Sequence, residues 1–287
     1  MPVCLKTLAQ SAGYALVLGI AATSISAKAG VGDLLVAPTR VILDNNRGTE
    51  VILNNNGSEE ATYRISLELK RMTADGSLEP VTEGAENPTE VAARNIIQFA
   101  PRRVTLAPNQ PQAIRIGLRA PPELPDGEYR AHMLFRAIPK AQPVTENGNT
   151  QSGLSIQLTP VYGVTIPIIV RKGNLTATAA ISNPRLETGS EGNFLSFDLS
   201  RNGSRSVFGE IRVTRPGISE PLLLARGIAI YPEIFSRTVN LPLRDGQLEA
   251  LNGDAKIALY ESPEAGGDLI TEIRAPLRVI AQRAASR

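Results

Sequence analysis

The sequence contains very few of the side chains from which catalytic and metal sites are usually built. Of its 287 residues one is a cysteine, Cys4, and one is a histidine, His132. No cluster with the spacing of metal ligands can be assembled from them, and His132 stands beside apolar residues, as is typical of a packed strand. Hydrolysis by a pair of carboxylates remains an alternative, although several of the acidic residues lie in turns such as Asp75-Gly76. The sequence therefore predicts a protein that is not an enzyme and that binds no cofactor or metal.

The sequence also lacks an apolar run long enough to be a persuasive membrane span. Ala12–Ala22 is mostly apolar, follows the basic Lys6 and precedes Ala27-Lys28-Ala29, a small-x-small sequence. Together these features are typical of a cleaved export signal, so we expect residues 1–29 to be removed. An uncleaved anchor is the alternative. Because Cys4 leaves with this segment, the mature protein would have no disulfide and would depend on its core for stability.

The small excess of positive charge disappears with the same segment. The whole chain has 30 Lys and Arg against 28 Asp and Glu, and residues 1–29 contain two lysines and no acidic residue. Subtracting two leaves 28 against 28, a net charge of zero. The mature sequence therefore gives no electrostatic reason to expect a nucleic-acid partner.

The remainder of the sequence is typical of β-structure. No amphipathic helix of any length stands out, and turn dipeptides such as Asn56-Gly57, Asp126-Gly127 and Asn202-Gly203 recur along the chain. The runs rich in β-forming residues are Leu34–Leu43, Glu50–Leu53, Tyr63–Leu69, Ala113–Leu118, Arg130–Ile138, Leu195–Leu199, Val207–Val213, Lys256–Tyr260 and Ile270–Ile280. Many short strands without alternating helices predict an all-β protein of antiparallel sandwiches, and the length suits two domains.

One alternating stretch is longer than an ordinary strand. From Leu154 to Val170 the even-numbered residues are nearly all apolar and most odd-numbered ones are polar, which predicts a ribbon with one apolar side. Because typical strands contain about 5–6 residues, part of this ribbon is expected to be available outside its own sheet. Arg171-Lys172-Gly173-Asn174 ends the ribbon and predicts a boundary between a domain of residues 30–172 and one of residues 173–287.

Several groups of residues resemble the PapD-like periplasmic pilus chaperones. Ala37-Pro38-Thr39-Arg40-Val41 and Val51-Ile52-Leu53-Asn54-Asn55 stand near the mature start, and Leu124-Pro125-Asp126-Gly127-Glu128-Tyr129-Arg130 leads through Phe135–Pro139 towards the ribbon. The ribbon occupies the place of the family's donor strand. The resemblance spans essentially the whole mature chain and implies two immunoglobulin-like β-sandwich domains set at an angle around a cleft.

The resemblance implies that the protein binds pilus subunits that lack one strand. In such chaperones, alternate apolar side chains of the donor strand fill the subunit's exposed groove while backbone hydrogen bonds complete its sheet. The corresponding side chains here are those of Leu154, Ile156 and Leu158. Arg40 corresponds to the arginine that anchors the subunit's terminal carboxylate, a role that suits a guanidinium because it binds both carboxylate oxygens.

The sequence departs from the family at the second anchor. The family has a lysine on the donor strand, and the matching position here is Pro167, which has neither a charge nor an amide hydrogen. The anchor then depends on Arg40 alone or on an arginine from elsewhere. Pro160 and Pro167 have opposite parity, so each edge of the ribbon loses one donor. We therefore expect an edge strand with a bulge or a change of pairing between the two prolines.

Glu128 and Arg171 fall where the family has an interdomain ion pair, with two unrelated surface charges as the alternative. The resemblance also implies a location in the periplasm and delivery of subunits to an outer-membrane usher. It leaves open whether the free protein forms a dimer that caps its own donor strand. A second class of function fits the same features, namely an exported β-sandwich adhesive or structural subunit that associates through an exposed edge strand.

Overall fold

The computed structural model describes residues 33–44, 48–139, 160–190, 192–218 and 220–281. The expected export signal at residues 1–29 and the expected donor residues Leu154, Ile156 and Leu158 lie outside these ranges. Within them, no helix has the length and apolar character needed to cross a membrane.

The first part of the described chain forms two sheets that pack face to face, a hairpin and a helix. Its strands are β1 Leu34–Ala37, β2 Val41–Asp44, β3 Thr49–Asn55, β4 Ala61–Glu68, β5 Lys70–Met72, β6 Leu78–Pro80, β7 Ile97–Ala100, β8 Arg103–Leu106, β9 Pro111–Leu118, β10 Gly127–Ile138 and β11 Gly163–Lys172. The order across one sheet is β1-β3-β9-β7 and across the other β2-β11-β10-β4-β8, while β5 pairs with β6. The helix, α1, is Pro88–Ile96.

The second part forms another sandwich. Its strands are β12 Ala177–Gly189, β13 Gly192–Gly203, β14 Val207–Thr214, β15 Leu223–Ile230, β16 Ser236–Pro242, β17 Gly253–Glu261, β18 Leu269–Leu277 and β19 Val279–Ala281. One sheet has the order β16-β13-β12-β19 and the other β15-β14-β17-β18. A short helix, α2, is Gln247–Leu251, and a single 3-10 turn is Pro263–Ala265.

Each sandwich buries a core of its own, as alternation of apolar and polar residues requires. The first core is built around Tyr63, Phe135 and the inward side chains of β11, and the second around Phe197. The predicted all-β class with two sandwich domains is thereby confirmed. The first core ends in sequence at Val170 and the second begins at Ile181, so we propose the domain boundary at residues 172/173.

The run Leu34–Leu43, which the sequence predicts as one strand, forms two. Residues 38–40 interrupt it, and β1 pairs with β3 in one sheet while β2 pairs with β11 in the other. Pro38 has no amide hydrogen for a ladder, which accounts for the break at that point. The chain therefore crosses from one sheet to the other with Arg40 at the crossing, one residue before β2.

The nine-residue helix α1 is also absent from the sequence-based prediction. It begins with a capping box, in which the Asn87 side chain accepts a hydrogen bond from the Glu90 amide and the Glu90 carboxylate accepts one from the Asn87 amide. Pro88 at the first helical position suits this start. The helix is short and carries few apolar residues, so its periodicity is weak and the cap is its clearest signal.

The two edges of β11 differ. On one side the strand pairs with β10 over its whole length without a shift of register. On the other side it pairs in parallel with β2, only from Ile168 to Arg171. Among the described residues, the edge from Gly163 to Pro167 has no neighbouring strand. The predicted edge strand is therefore present, but the bulge expected between the prolines is not seen within β11, and the pairing changes after Pro167.

Alternate residues of β11 direct their backbone groups to opposite edges. The Ala137 amide donates to the Tyr162 carbonyl at 2.9 Å, so even-numbered residues form the hydrogen-bonded pairs with β10. Gly163 and Thr165 consequently direct both N–H and C=O to the free edge. Pro167 directs only a carbonyl to this edge. Its missing amide hydrogen therefore leaves no carbonyl of β10 without a donor.

Two glycines in strands differ in how closely the neighbouring strand approaches them. A Cβ on Gly209 of β14 would stand 1.8 Å from the Tyr260 carbonyl oxygen, whereas one on Gly117 of β9 would meet nothing within 4 Å. We expect Gly209→Ala to lower the free energy of unfolding by about 3 kcal/mol, because the β14–β17 backbones must separate. We expect Gly117→Ala to change it by less than about 1 kcal/mol. Urea unfolding of both variants measures this, and equal losses would contradict the described packing of β14.

Candidate functional site

The surface of the first sandwich that faces the second is formed by the outward side chains of two paired strands. We call this surface the cleft face. It consists of three pairs of directly opposite residues, one from β10 and one from β11 in each pair. The pairs are Glu128 with Arg171, Arg130 with Ile169, and His132 with Pro167. The inward side chains of the same strands belong to the core of the first sandwich.

An apolar cluster joins the cleft face to the second sandwich. Met72 and Ile169 of the first sandwich pack with Ala229 and Tyr231 of the second, and Ile169 is completely buried. This explains why Ile169 is apolar on the otherwise polar parity of the ribbon. Burial of one isoleucine side chain contributes about 1.5–3 kcal/mol, so the cluster stabilises the contact between the sandwiches.

Glu128 connects both sandwiches through one carboxylate oxygen. Its Oε2 accepts a hydrogen bond from Arg171 Nε at 3.1 Å, one from the Ser206 hydroxyl at 2.9 Å and one from the Ser206 amide at 3.0 Å. The structure thus brings Glu128 and Arg171 together, but both belong to the first sandwich. The link to the second sandwich is made by Ser206.

Arg130 and Glu233 form an ion pair that crosses between the sandwiches. Arg130 donates from both terminal nitrogens to the Glu233 carboxylate, with Nη1 at 3.2 Å from Oε2. The Met72 amide donates to the same carboxylate at 2.7 Å, and Arg130 Nη2 also donates to the Lys70 carbonyl at 2.9 Å. Arg130 is therefore neutralised and held in place.

Arg40 is held by aromatic residues of the second sandwich and has no acidic partner among the described residues. Its guanidinium carbon lies 4.0 Å from the centroid of the Phe208 ring, and Nη1 donates to the Tyr231 hydroxyl at 2.9 Å. Nε and Nη2 are buried and have no hydrogen-bond partner in the described structure. Leaving such donors unpaired costs about 1–3 kcal/mol or more for a charged group, so an anion that pairs with them is favoured.

His132 is buried and equally unpaired. It is 2% exposed, and neither ring nitrogen has a hydrogen-bond partner among the described residues. Burial, with smaller contributions from the positive charges of Arg130, Lys70 and Arg40, lowers its pKa from 6.5 to about 3. The ring is therefore neutral at neutral pH and carries one N–H.

The free edge of β11 is continued by exposed apolar residues. Tyr162 lies on the parity of the core-facing residues Val164 and Ile166, yet it is 54% exposed, and Val161 beside it is exposed as well. The apolar face of the strand therefore extends beyond the part that its own sandwich covers. Leu154, Ile156 and Leu158, which continue this parity, lie outside the described residues.

The residues that the second sandwich contributes were not predicted from the sequence. Ser206, Phe208, Tyr231 and Glu233 contact first-sandwich residues that are 78 or more positions away in the chain, and no local pattern marks them. Arg130 had a usable signal, since it stands two residues after Glu128 and so shares its face of β10.

No protein-family model matches the sequence, and no curated protein matches it. Similar solved structures include the class 5 fimbriae chaperone CfaA, 13% identical, covering 85% of this chain and 99% of that one, with a TM-score of 0.43. They also include the E. coli chaperone DraB (15%, 87% and 98%, TM-score 0.43). A third is a chain of the Salmonella enterica SafA pilin in complex with the SafB chaperone (16%, 86% and 98%, TM-score 0.44). At these identities and TM-scores the similarities carry no argument about function, which must come from the residues themselves.

Glu128 offers a test of the contact between the sandwiches. We expect Glu128→Ala to lower the free energy of unfolding by about 3–5 kcal/mol, because it leaves the partly buried Arg171 and the Ser206 amide without their acceptor. The matched control is Glu50→Ala, which removes a carboxylate whose ion pair with Arg115 is solvent-exposed and should cost less than about 1 kcal/mol. Equal losses in urea unfolding would contradict a buried role for Glu128.

Because His132 is buried and neutral, we expect the folded protein to lose stability in mild acid. Its pKa is lower in the folded state than in the unfolded state, so protons favour unfolding as the pH falls below 6.5, by about 1.4 kcal/mol per pH unit until about pH 3. The carboxylates with lowered pKa, such as Glu90 and Glu210, add their own loss only below about pH 4.5. The free energy of unfolding of the parent protein should therefore be lower at pH 5 than at pH 6.5, and that of His132→Phe should be the same at both pH values. The same difference in both proteins would contradict the buried, neutral ring.

Proposed function

We propose that this protein is a periplasmic chaperone of the PapD-like kind, which binds and stabilises pilus subunits by donating a strand and delivers them to an outer-membrane usher. The observation that carries the proposal is the edge of β11 from Gly163 to Pro167, which has no neighbouring strand among the described residues. This edge ends beside Arg40, whose Nε and Nη2 have no partner among the same residues. Such an edge can hydrogen-bond an incoming strand, and such a cation can bind an anionic group at the strand's end.

The edge has the backbone groups that strand addition requires. Gly163 and Thr165 direct donors and acceptors away from β10, and no described strand uses them. Natural proteins normally protect such an edge, because an exposed edge pairs with other chains. An edge left open next to exposed apolar residues is therefore suited to a partner that adds a strand.

The apolar side of the strand supplies the remaining affinity in this proposal. Leu154, Ile156 and Leu158 share the parity of Tyr162 and are the side chains proposed to fill the subunit's groove. At about 1.5–3 kcal/mol for each buried side chain, three contribute roughly 5–9 kcal/mol before the cost of ordering. A complex of this strength holds a subunit and can still release it.

Arg40 is proposed to fix the register of the added strand by binding the subunit's terminal carboxylate. A carboxylate would pair with Nε and Nη2, which have no partner among the described residues. A planar guanidinium bonds both carboxylate oxygens, so it restrains position as well as adding energy. Glu128 and Arg171 are proposed to support this geometry by holding the two sandwiches in a fixed relation.

A co-expression experiment tests the proposed function. A pilus subunit lacking one strand is expressed with the parent protein or with the double variant Arg40→Ala, Ile156→Asp, and soluble subunit is measured in periplasmic extracts. We expect at least about a tenfold loss of soluble subunit, because the variant removes the carboxylate's cation and places an unpaired charge in the apolar groove. The variant itself should stay soluble.

The matched control is Arg115→Ala, which removes an arginine whose side chain is 84% exposed on the first sandwich and should leave subunit recovery unchanged. Unchanged recovery with the double variant would contradict the chaperone function. It would favour the alternative of an adhesive or structural subunit, which would use the same edge to associate with copies of itself.

A further inference from the structure

Arg40, Pro167 and His132 lie side by side in one row across the sheet. This row brings the unpaired nitrogens of Arg40 and His132 close together. Val41 pairs with Ile168 in the parallel ladder, so Arg40, one residue earlier, is level with Pro167. Pro167 is directly opposite His132 on β10. Adjacent strands are about 4.8 Å apart, so the Arg40 and His132 backbones are separated by about 10 Å. The short proline ring stands between them on the same face.

The donors in this row are buried and unused. Arg40 has two donor nitrogens without a hydrogen-bond partner among the described residues. Neither ring nitrogen of His132 has a partner there, and one of the two carries the N–H of the neutral ring. Buried polar groups in native proteins nearly always have a partner, and an orphaned group requires an explanation. Orphaned donors on both sides of one small residue point to a shared ligand that accepts hydrogen bonds.

The other cations near the row are already engaged. Arg130 is paired with Glu233 through both terminal nitrogens, and its guanidinium lies 3.6 Å from the centre of the Tyr231 ring. Lys70 has a carboxylate partner in Glu68 at 3.7 Å. Neither has to give up its partner if His132 completes the site with Arg40.

Resting on the proposed function, we propose that His132 and Arg40 together bind the terminal carboxylate of the subunit. Arg40 supplies the positive charge and His132 supplies a neutral N–H donor from the opposite side of Pro167. His132 thus takes the part that a lysine would take if one stood at residue 167. This assigns a binding role to a side chain whose local sequence indicates only a packed strand residue.

The single histidine allows a direct measurement of the site that does not depend on a subunit. The parent protein with isotope-labelled histidine gives ring-nitrogen NMR signals from His132 alone. Sodium acetate should shift these signals with saturation, whereas acetamide and an equal concentration of sodium chloride should not. The shift should disappear in Arg40→Ala. Absence of a saturable shift with acetate would overturn the proposed carboxylate site.

Two substitutions of His132 separate a binding role from a structural one. His132→Phe fills the space without an N–H, and His132→Gln keeps a donor. In the co-expression experiment we expect His132→Phe to lower soluble subunit about tenfold, as for loss of one hydrogen bond to a charged group, and His132→Gln to retain most of it. A purely structural role would predict the reverse order, since the buried apolar ring is tolerated better than an amide.

The outcomes distinguish this inference from the proposed function. If Arg40→Ala lowers the amount of soluble subunit and His132→Phe gives as much soluble subunit as the parent, the role of His132 is overturned and the chaperone function stands. If neither substitution affects recovery, the carboxylate site formed by Arg40 and His132 is overturned, whereas the chaperone function fails only if the double variant Arg40→Ala, Ile156→Asp also leaves recovery unchanged. Loss with both Arg40→Ala and His132→Phe, and recovery with His132→Gln, supports the inference.

Discussion

The contact of Tyr231 with two arginines is the interaction on which the arrangement of the cleft face depends. The ring packs in the apolar cluster with Ile169, receives the Arg130 guanidinium on its face at 3.6 Å, and accepts a hydrogen bond from Arg40 through its hydroxyl. A cation over a desolvated aromatic ring gains about 2 kcal/mol, which offsets part of the cost of burying two like charges. Glu233 neutralises Arg130 and not Arg40. Arg130 is thereby neutralised, whereas Arg40 has no acidic partner among the described residues.

β11 is divided into a paired part and a free part by the extent of its pairing with β2. From Ile168 onwards the strand is buried between β10, β2 and the second sandwich, and it cannot accept another neighbour. Among the described residues, the part of the strand before Pro167 pairs with β10 alone. Arg40 stands at the junction because the chain crosses from one sheet to the other just before β2. A partner strand added along the free edge would therefore end at a fixed cation, and strand register is well specified when one end is pinned.

Much of the fold could be predicted from the sequence, because alternation and turn dipeptides are local signals. The two sandwiches and the core-facing parity of Val164, Ile166 and Ile168 follow from period-two patterning. The break at Pro38 and the short helix α1 were missed, since the first interrupts an otherwise continuous β pattern and the second is marked mainly by its cap. Arg40 came from the family resemblance and not from any pattern.

The site itself could be predicted only in part, for a physical reason. Glu128 and Arg171 face each other across neighbouring strands, and register alone brings them together. Ser206 and Glu233, by contrast, depend on how one sandwich packs against the other, which no local periodicity specifies. The packing of His132 agrees with its apolar neighbours, but the lack of partners for its ring nitrogens is a property of the assembled interface.

The most direct test of the central claim is amide hydrogen exchange at Gly163 and Thr165, measured in the free protein and in its complex with a pilus subunit. If β11 adds a strand of the subunit at its free edge, both amides exchange rapidly in the free protein and become strongly protected in the complex, while the amide of Ile166, already bonded to β10, changes little. Rapid exchange at Gly163 and Thr165 in a complex that has demonstrably formed would contradict strand addition at this edge.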